Sequence, residues 1–186
     1  MKIITGTAKG MNLETLEGEA TRPTSQRVKE AVFSMLQFDI EGARVLDLFA
    51  GSGQLGLEAL SRGAQKAAFS DSSRDATEII IKNAKKSRLF DRCRISTCDY
   101  AQMIRGIAGK EQFDIIFIDP PYKNECINDV LEKLCQAKAI APGAFIVCES
   151  GSYDIFQGNE ELKSHFEIQK QAKYSITYIT VLRPVD

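Results

Sequence analysis

Short, almost uninterrupted apolar runs alternate with segments of helical periodicity along most of this chain. A strand that is covered on both faces by helices has such a continuous run, whereas a strand with one solvated face alternates. The runs that we predict as strands are residues 45–49, 67–70, 115–118 and 144–148, with 94–97 as a weaker member. This alternation predicts an α/β fold with a largely parallel sheet and helices on both faces.

The segments between these runs carry apolar residues three and four positions apart, so each has one apolar helical face. Residues 28–36, 74–87 and 127–135 show this spacing, and a further helix is predicted from about Gln54. The last apolar run, residues 176–182, is rich in β-branched residues and is followed by no helix. We expect it to join the sheet as an additional strand, for which an antiparallel direction is one option.

Length and composition indicate one globular domain. The chain has 186 residues, of which 44% are apolar and 26% charged, and this composition excludes a disordered chain. The chain has 24 Lys and Arg and 25 Asp and Glu. This balance argues against a protein that binds nucleic acid through its overall positive charge, but it is compatible with a local basic patch. We predict a single domain over residues 1–186. Residues 1–40 form an N-terminal appendage, with a hairpin around residues 6–18 and then a helix, and 41–186 form the core.

The five cysteines are irregularly spaced, and none forms a Cys-x-x-Cys pair. This excludes a disulfide framework, argues against a zinc ribbon and indicates reduced thiols. The N-terminus lacks the apolar stretch of a signal peptide. We therefore expect a soluble cytoplasmic protein with no metal and no membrane contact. The only histidine, His165, lies far in sequence from every motif, so histidine-based catalysis is not expected.

The first predicted strand runs into a glycine-rich loop, Asp47-Leu48-Phe49-Ala50-Gly51-Ser52-Gly53. Its glycines allow a sharp turn and a close approach to a ligand, and the helix that follows offers free main-chain N–H groups. Residues 51–56 fit the pattern GxGxxG, which together with the downstream acid Asp71 is typical of NAD-binding proteins. Asp47 argues against NAD, because a carboxylate there repels a pyrophosphate and suits an ammonium or sulfonium. S-adenosylmethionine carries both cations.

Two further carboxylates follow predicted strands at the same edge of the sheet, where ligands of open α/β sheets bind. Asp71 is placed to accept from ribose hydroxyls, and Asp99 is placed either to accept from an adenine amine or to cap a helix. The predicted cofactor-binding set is Asp47, Phe49, Ala50, Gly51, Ser52, Gly53, Asp71, Asp99 and Tyr100.

The fourth predicted strand runs into the turn Asp119-Pro120-Pro121-Tyr122. The two prolines make the turn rigid and remove donors, so its carbonyls are free to accept. A carboxylate and a carbonyl together suit an –NH₂ group, favour its nucleophilic geometry and stabilise the positive charge that develops on attack. Tyr122 offers a face on which a base can stack. We predict these four residues as the catalytic set, with Asp119 or water taking the proton.

These motifs resemble those of class I S-adenosylmethionine-dependent amino-methyltransferases and, more specifically, those of the RsmD family of bacterial 16S rRNA guanine-N2 methyltransferases. The likeness covers nearly the whole chain. It is carried by Thr21-Arg22-Pro23-Thr24, Arg27-Val28-Lys29-Glu30-Ala31-Val32-Phe33, the glycine loop, residues 55–64 and the Asp-Pro-Pro-Tyr turn. That turn alone is shared with DNA adenine methyltransferases, whereas the first two segments are the specific part.

The resemblance implies a Rossmann-like sheet of seven strands, mostly parallel with one antiparallel, and a small N-terminal hairpin and helix. It implies S-adenosylmethionine as cofactor and a guanine of 16S rRNA as target, in an assembled or assembling small ribosomal subunit. By position, the glycine loop with Asp71 and Asp99 binds cofactor, and the Asp-Pro-Pro-Tyr turn holds the base. The predicted RNA contacts are Arg22, Thr24 and Arg27. We expect a monomer.

The chain also departs from the family's pattern. Residues 7–12 carry one cation where the family is more basic, the second strand ends in Ser70-Asp71 rather than in a glutamate, and Tyr174-Ser175-Ile176 stands where the family often has Tyr-Gly-Asp. We expect these differences to affect substrate affinity more than reaction type. A run of six cations and one acid over residues 82–94 is typical of a solvated helix face.

Other functions stay open at this point. Amino methylation of DNA adenine or of a protein glutamine uses similar turns, although 186 residues leave little room for a DNA-recognition domain, and glutamine enzymes more often have Asn before the prolines. A non-catalytic RNA-binding or assembly factor with this fold is a further option, against which the intact turn argues. An NAD-dependent oxidoreductase is the weakest alternative, because of Asp47 and the same turn.

Overall fold

A seven-stranded sheet forms the centre of the protein. The computed structural model describes residues 1–16, 26–121 and 126–185. The strands are β1 (Arg44–Asp47), β2 (Lys66–Asp71), β3 (Cys93–Thr97), β4 (Phe113–Ile118), β5 (Ile140–Ser150), β6 (Phe166–Tyr174) and β7 (Thr177–Pro184). They lie in the order β3-β2-β1-β4-β5-β7-β6, and β7 is antiparallel to both of its neighbours. The prediction of a seven-stranded, mostly parallel sheet with one antiparallel strand is confirmed.

Helices cover both faces of this sheet. They are α1 (Gln26–Met35), α2 (Gln54–Ser61), α3 (Arg74–Lys86), α4 (Tyr100–Ile107), α5 (Ile127–Gln136) and α6 (Glu160–Ser164). The core between α1–α3 and the sheet includes Phe69 and Phe117, and the core on the opposite face includes Leu46 and Ile116. Strands β1 and β4 thus contribute side chains to both cores, which explains their continuous apolar runs.

Three of the elements named above lay outside the sequence prediction: strand β6 and the short helices α4 and α6, the last of which has five residues. β6 is an edge strand that pairs only with β7, and residues 167–170 within it are all exposed, so no apolar run marks it. Helix α4 is short, and its buried residues Met103, Ile104 and Ile107 fill little more than one turn of apolar face. In the part of the chain that the structure describes, every helix is too short or too polar to span a bilayer.

The N-terminal hairpin packs directly on α2. Its strands pair within residues 1–13, where Ile3 N donates to Met11 O at 3.0 Å and Gly10 N donates to Ile3 O at 2.8 Å. The sequence predicted this hairpin around residues 6–18, whereas the pairing in the structure lies within residues 1–13. Residues 17 and 18 of the predicted range lie outside the described residues. A Cβ added at Gly6 would come within 1.8 Å of Ser61 O, so the turn approaches α2 more closely than any other residue type allows.

A buried carboxylate joins the hairpin, α1 and α2. Glu58 accepts hydrogen bonds from Ile4 N at 2.8 Å and Thr5 N at 3.0 Å. It also pairs with Lys29 at 3.2 Å and with Arg62 at 2.8 Å, and its own side chain is fully buried. Four donors therefore compensate one buried charge, and they fix the appendage to the helix that opens at the glycine loop.

Candidate active site

Parallel pairing brings three of the predicted acids to one edge of the sheet. Asp47 is the last residue of β1, and β1 lies between β2 and β4. In the sheet Asp47 pairs with Phe69 of β2 on one side and with Phe117 of β4 on the other. Asp71 ends β2, and Asp119 directly follows β4. These side chains therefore start from the carboxyl ends of three adjacent strands, the edge at which α/β sheets bind ligands.

The glycine loop between β1 and α2 is tightly wound. Gly51 and Gly53 have φ angles of 52° and 78°. Residues other than glycine rarely adopt this left-handed backbone conformation. Gly53 N donates to Ala50 O at 2.6 Å, and Gly53 is the residue that caps α2. Gln54 is the first residue of that helix. Its buried side-chain oxygen Oε1 has no hydrogen-bond partner among the residues that the structure describes.

Asp47 lies beneath this loop with 2% of its surface exposed. Its Oδ2 accepts a hydrogen bond from Gly56 N at 3.1 Å. The pKa of the carboxyl is raised to about 7, mainly because the group is buried; the Gly56 N–H opposes this rise and the charge of Asp71 adds to it. A buried carboxylate with so high a pKa is stabilised in its ionised form by a cation, so this position favours a positively charged ligand.

Asp71 holds the loop from the neighbouring strand. Its Oδ2 accepts from Gly51 N and its Oδ1 accepts from Ser73 N, both at 2.9 Å. The predicted ribose-binding residue therefore also fixes the glycine loop and the start of α3. Each carboxylate oxygen retains a lone pair, so acceptance from a ribose hydroxyl remains compatible with this arrangement.

Asp99 and Tyr100 stand at the start of α4. Asp99 caps the helix, because its Oδ1 accepts from Gln102 N at 2.7 Å, and its exposed position leaves the second oxygen accessible. The ring of Tyr100 lies 5.4 Å from that of Phe49, centroid to centroid, and its hydroxyl donates to Asp129 at 2.8 Å. That hydrogen bond, with burial, raises the pKa of Tyr100 to about 12, and the two rings pack against each other at an angle of 40°.

A cleft of about 310 Å³ lies beside the Asp-Pro-Pro turn. Asp119 is half-buried, Pro120 is buried and Pro121 is exposed. The two prolines line one side of the cleft, and the chain that follows β5 lines the other. The volume is at the lower end of the range for ligand pockets, roughly 300–1,000 Å³. Tyr122 lies outside the described residues.

The predicted RNA contacts are only partly described. Arg22 and Thr24 lie outside the described residues, whereas Arg27 is exposed in the first turn of α1. In the cation run at the end of α3, Lys82, Lys85, Lys86 and Arg88 are all exposed, as expected for a solvated helix face. Tyr174-Ser175-Ile176 forms the tight turn between β6 and β7, with Ser175 at φ 58°.

Sequence reasoning missed two buried polar residues that shape this site. Asn83 is fully buried and bonds to both the glycine loop and the hairpin, and Glu149, one residue before the end of β5, lines the cleft beside the Asp-Pro-Pro turn. Asn83 occupies an inward position of α3, in line with Ile80 and Ala84. A polar residue within an apolar stripe was the signal that could have identified it, since such residues need buried partners.

A family model and several known proteins match most of this chain. The family model described as conserved hypothetical protein 95 matches residues 1–183. The putative rRNA methyltransferase YlbH of Bacillus subtilis is 37% identical over 150 residues, 80% of this chain and 82% of that protein. Ribosomal RNA small subunit methyltransferase D of Haemophilus influenzae is 32% identical over 151 residues, 81% of this chain and 78% of that protein.

The same relationship holds at the level of structure. A solved structure described as the putative methyltransferase yhhF from Escherichia coli superposes with a TM-score of 0.87 at 27% identity, covering 99% of this chain and 97% of that one. The family model and the superposition both cover the glycine loop, the acidic strand ends and the Asp-Pro-Pro turn. The chain therefore belongs to the RsmD family of class I methyltransferases.

Proposed function

We infer that this chain transfers a methyl group from S-adenosylmethionine to the exocyclic N2 amine of a guanine in 16S rRNA of the small ribosomal subunit. The observation that carries this proposal is the adjacency of β1 and β4, which pair through Asp47 and Phe117. It puts the cofactor loop and the Asp-Pro-Pro turn side by side, as transfer between a bound donor and a bound base requires.

The cofactor side of the site suits S-adenosylmethionine. This donor supplies an electrophilic methyl group on a positively charged sulfur. Asp47 supplies the carboxylate that such a cation stabilises, and Gln54 supplies a buried acceptor without a partner among the described residues. Phe49 and Tyr100 offer an apolar surface for adenine, while Asp71 and Asp99 keep acceptor capacity for ribose and amine hydrogens.

The target amine is assigned to the Asp-Pro-Pro turn. The Asp119 carboxylate and the proline-flanked carbonyls accept from the two amine hydrogens, which draws the nitrogen lone pair out of conjugation with the ring. The amine becomes positively charged as the new N–C bond forms. Asp119 stabilises that charge and can accept the proton afterwards, or water can remove it.

An RNA target within a ribosomal particle accounts for the weak overall charge. The relatives named above are rRNA methyltransferases by description, and one is described as acting on the small subunit. With 24 cations against 25 anions, this chain has little bulk attraction for naked RNA. Recognition then depends on Arg22, Thr24 and Arg27 of the appendage and on the shape of the particle, and the enzyme acts as a cytoplasmic monomer.

The proposal is tested with labelled S-adenosylmethionine and four separate acceptors: unmethylated small subunits, naked 16S rRNA, duplex DNA and a protein release factor. We expect label to enter small subunits, with little in naked rRNA. Transfer to DNA or to the release factor alone, or to none of the four, would contradict the proposed function.

A further inference from the structure

Glu149 lies beside Asp119 near the carboxyl end of the sheet, where it still pairs with Ile179 of β7. β4 and β5 pair in parallel up to Ile118 and Cys148, and the next residue on each strand is Asp119 and Glu149 respectively. Adjacent strands lie about 4.8 Å apart. Two carboxylates therefore start from neighbouring positions at the carboxyl edge of the sheet, where the target amine is held.

Glu149 also lines the cleft beside the Asp-Pro-Pro turn. It exposes only 8% of its surface, so it lines this cleft as a buried residue and not from open solvent. The other acid of the cleft, Asp154, is exposed, and its oxygens accept from Phe156 N and Gly158 N at 3.0 and 3.1 Å. Asp154 thus stabilises its own loop, and Glu149 is the buried one of the two acids that line this space.

A cleft that holds an exocyclic purine amine must still distinguish guanine from adenine. In guanine the ring nitrogen next to the amine, N1, carries a hydrogen and donates. In adenine the corresponding N1 carries a lone pair and accepts. An acceptor placed beside the amine site therefore binds guanine and repels adenine, and burial strengthens the discrimination because no water can compensate an unpaired group.

The Asp-Pro-Pro turn does not supply this distinction. Its two acceptors match the two hydrogens of any aromatic amine, and similar turns serve adenine in DNA methyltransferases. A second buried acceptor is needed for N1–H, and flipped bases are read along this edge. Glu149 is a buried carboxylic acid that lines the cleft beside the Asp-Pro-Pro turn, and the apolar residues Ile127 and Ile155 line the same cleft.

We propose that Glu149 determines guanine specificity by accepting a hydrogen bond from N1–H while Asp119 holds the N2 amine. This inference rests on the proposed function. A carboxylate has about four lone-pair sites, so one oxygen can contact the base while Glu149 keeps its contacts within the protein.

The test uses small subunits reconstituted with 2-aminopurine in place of the target guanine. This base keeps the N2 amine, but its N1 accepts instead of donating. We expect wild-type kcat/KM to be about 10- to 100-fold lower for 2-aminopurine than for guanine. In Glu149→Gln the side-chain amide can donate to N1 of 2-aminopurine. We therefore expect the kcat/KM values of this variant for guanine and for 2-aminopurine to differ by less than about threefold.

The matched control is Glu132→Gln, an identical change at an exposed position of α5 that should retain the wild-type ratio. 2-Aminopurine also lacks the O6 atom of guanine. If the enzyme discriminates through O6, the ratio of kcat/KM for the two bases will be the same in Glu149→Gln as in the wild type, and this result would overturn the inference. Equal wild-type rates on both bases would overturn it without any variant. A wild-type enzyme that methylates no guanine would instead overturn the proposed function, and the inference with it.

Discussion

The side-chain amide of Asn83 donates a hydrogen bond of 2.9 Å to the main-chain carbonyl of Ser52 within the glycine loop. The same amide group donates to Glu14 O at 3.0 Å, and Asn83 Oδ1 accepts from Glu14 N at 2.8 Å. One buried side chain of α3 thus connects the glycine loop with the end of the N-terminal hairpin. The hairpin in turn leads towards the segment that carries the predicted RNA contacts.

Asn83→Ala should destabilise the protein and weaken cofactor binding. It removes three hydrogen bonds and leaves buried main-chain groups without partners, so we expect a loss of about 2–4 kcal/mol in the free energy of unfolding. Urea denaturation measures this loss, and calorimetry measures the affinity for S-adenosylhomocysteine. Asn12→Ala, at an exposed position of the same hairpin, should change stability by less than about 0.5 kcal/mol. Equal effects of the two substitutions would refute this role.

Glu58→Gln should be among the most destabilising single-atom changes in the chain. It leaves Lys29 and Arg62 near α2 without their carboxylate partner, and Lys29 is itself buried. Breaking one side of a buried ion pair costs about 3–5 kcal/mol. The exposed pair of Glu78 with Arg74 provides the comparison, since Glu78→Gln should cost less than about 1 kcal/mol in the same denaturation experiment. A small loss for Glu58→Gln would show that the hairpin is held by other contacts.

Gly56→Ala should destabilise the protein although alanine favours helices. A Cβ at this position would lie 2.2 Å from Cε1 of Phe69, whose ring is fully buried in the core. Gly106 in α4 has nothing within 4 Å of the same added atom, so Gly106→Ala should be neutral or stabilising by up to about 1 kcal/mol. Thermal unfolding of the two variants should therefore shift the Tm in opposite directions. A Gly56→Ala variant as stable as the wild type would contradict the close packing of α2 on β2.

The sequence was sufficient to predict the sheet because its central strands are buried on both faces. β1 and β4 contribute to two cores, so their continuous apolar runs were visible without the structure. The edge strand β6 has a single neighbouring strand and mostly exposed residues, so its sequence carries no such signal. Local motifs likewise predicted the glycine loop and the Asp-Pro-Pro turn, because each depends on residues that are adjacent in the chain.

The supporting contacts were not predictable in the same way. Glu58 meets Ile4 across 54 positions of sequence, and Asn83 meets Glu14 across 69. Such partners are determined by the packed fold and not by spacing. Asp99 illustrates an intermediate case, since its sequence position suited both a helix cap and an adenine contact. The structure shows the cap, and the adenine contact stays a prediction.

Asp47 predicts a pH dependence of cofactor affinity. Its carboxyl has a pKa of about 7 in the cofactor-free protein, so below that pH it must lose a proton before it can pair with a cation. Affinity for S-adenosylmethionine should fall about tenfold per pH unit below 7 and become constant above it. Calorimetric titration in two buffers of different ionisation enthalpy should detect the released proton near pH 6. Affinity that does not change over this range would contradict the assignment.

The free energy of unfolding of the cofactor-free protein should depend on pH in the opposite direction: the contribution of Asp47 decreases as the pH rises. Since the folded-state pKa of Asp47 lies above its ordinary value, the protonated carboxyl contributes stability that is complete below about pH 4. This contribution is lost as the pH rises towards 7. Asp47→Asn should remove both dependences, with weak cofactor binding at every pH. A pH profile of unfolding that is identical in wild type and Asp47→Asn would count against the raised pKa.

The most direct test of the central claim is the identity of the methylated nucleoside. Unmethylated small subunits are incubated with the protein and labelled S-adenosylmethionine, and the 16S rRNA is digested and analysed by mass spectrometry. We predict N2-methylguanosine with the wild-type chain and none with Asp119→Ala, which should still bind S-adenosylhomocysteine with wild-type affinity. Label on an adenine, or full activity of Asp119→Ala, would contradict the account.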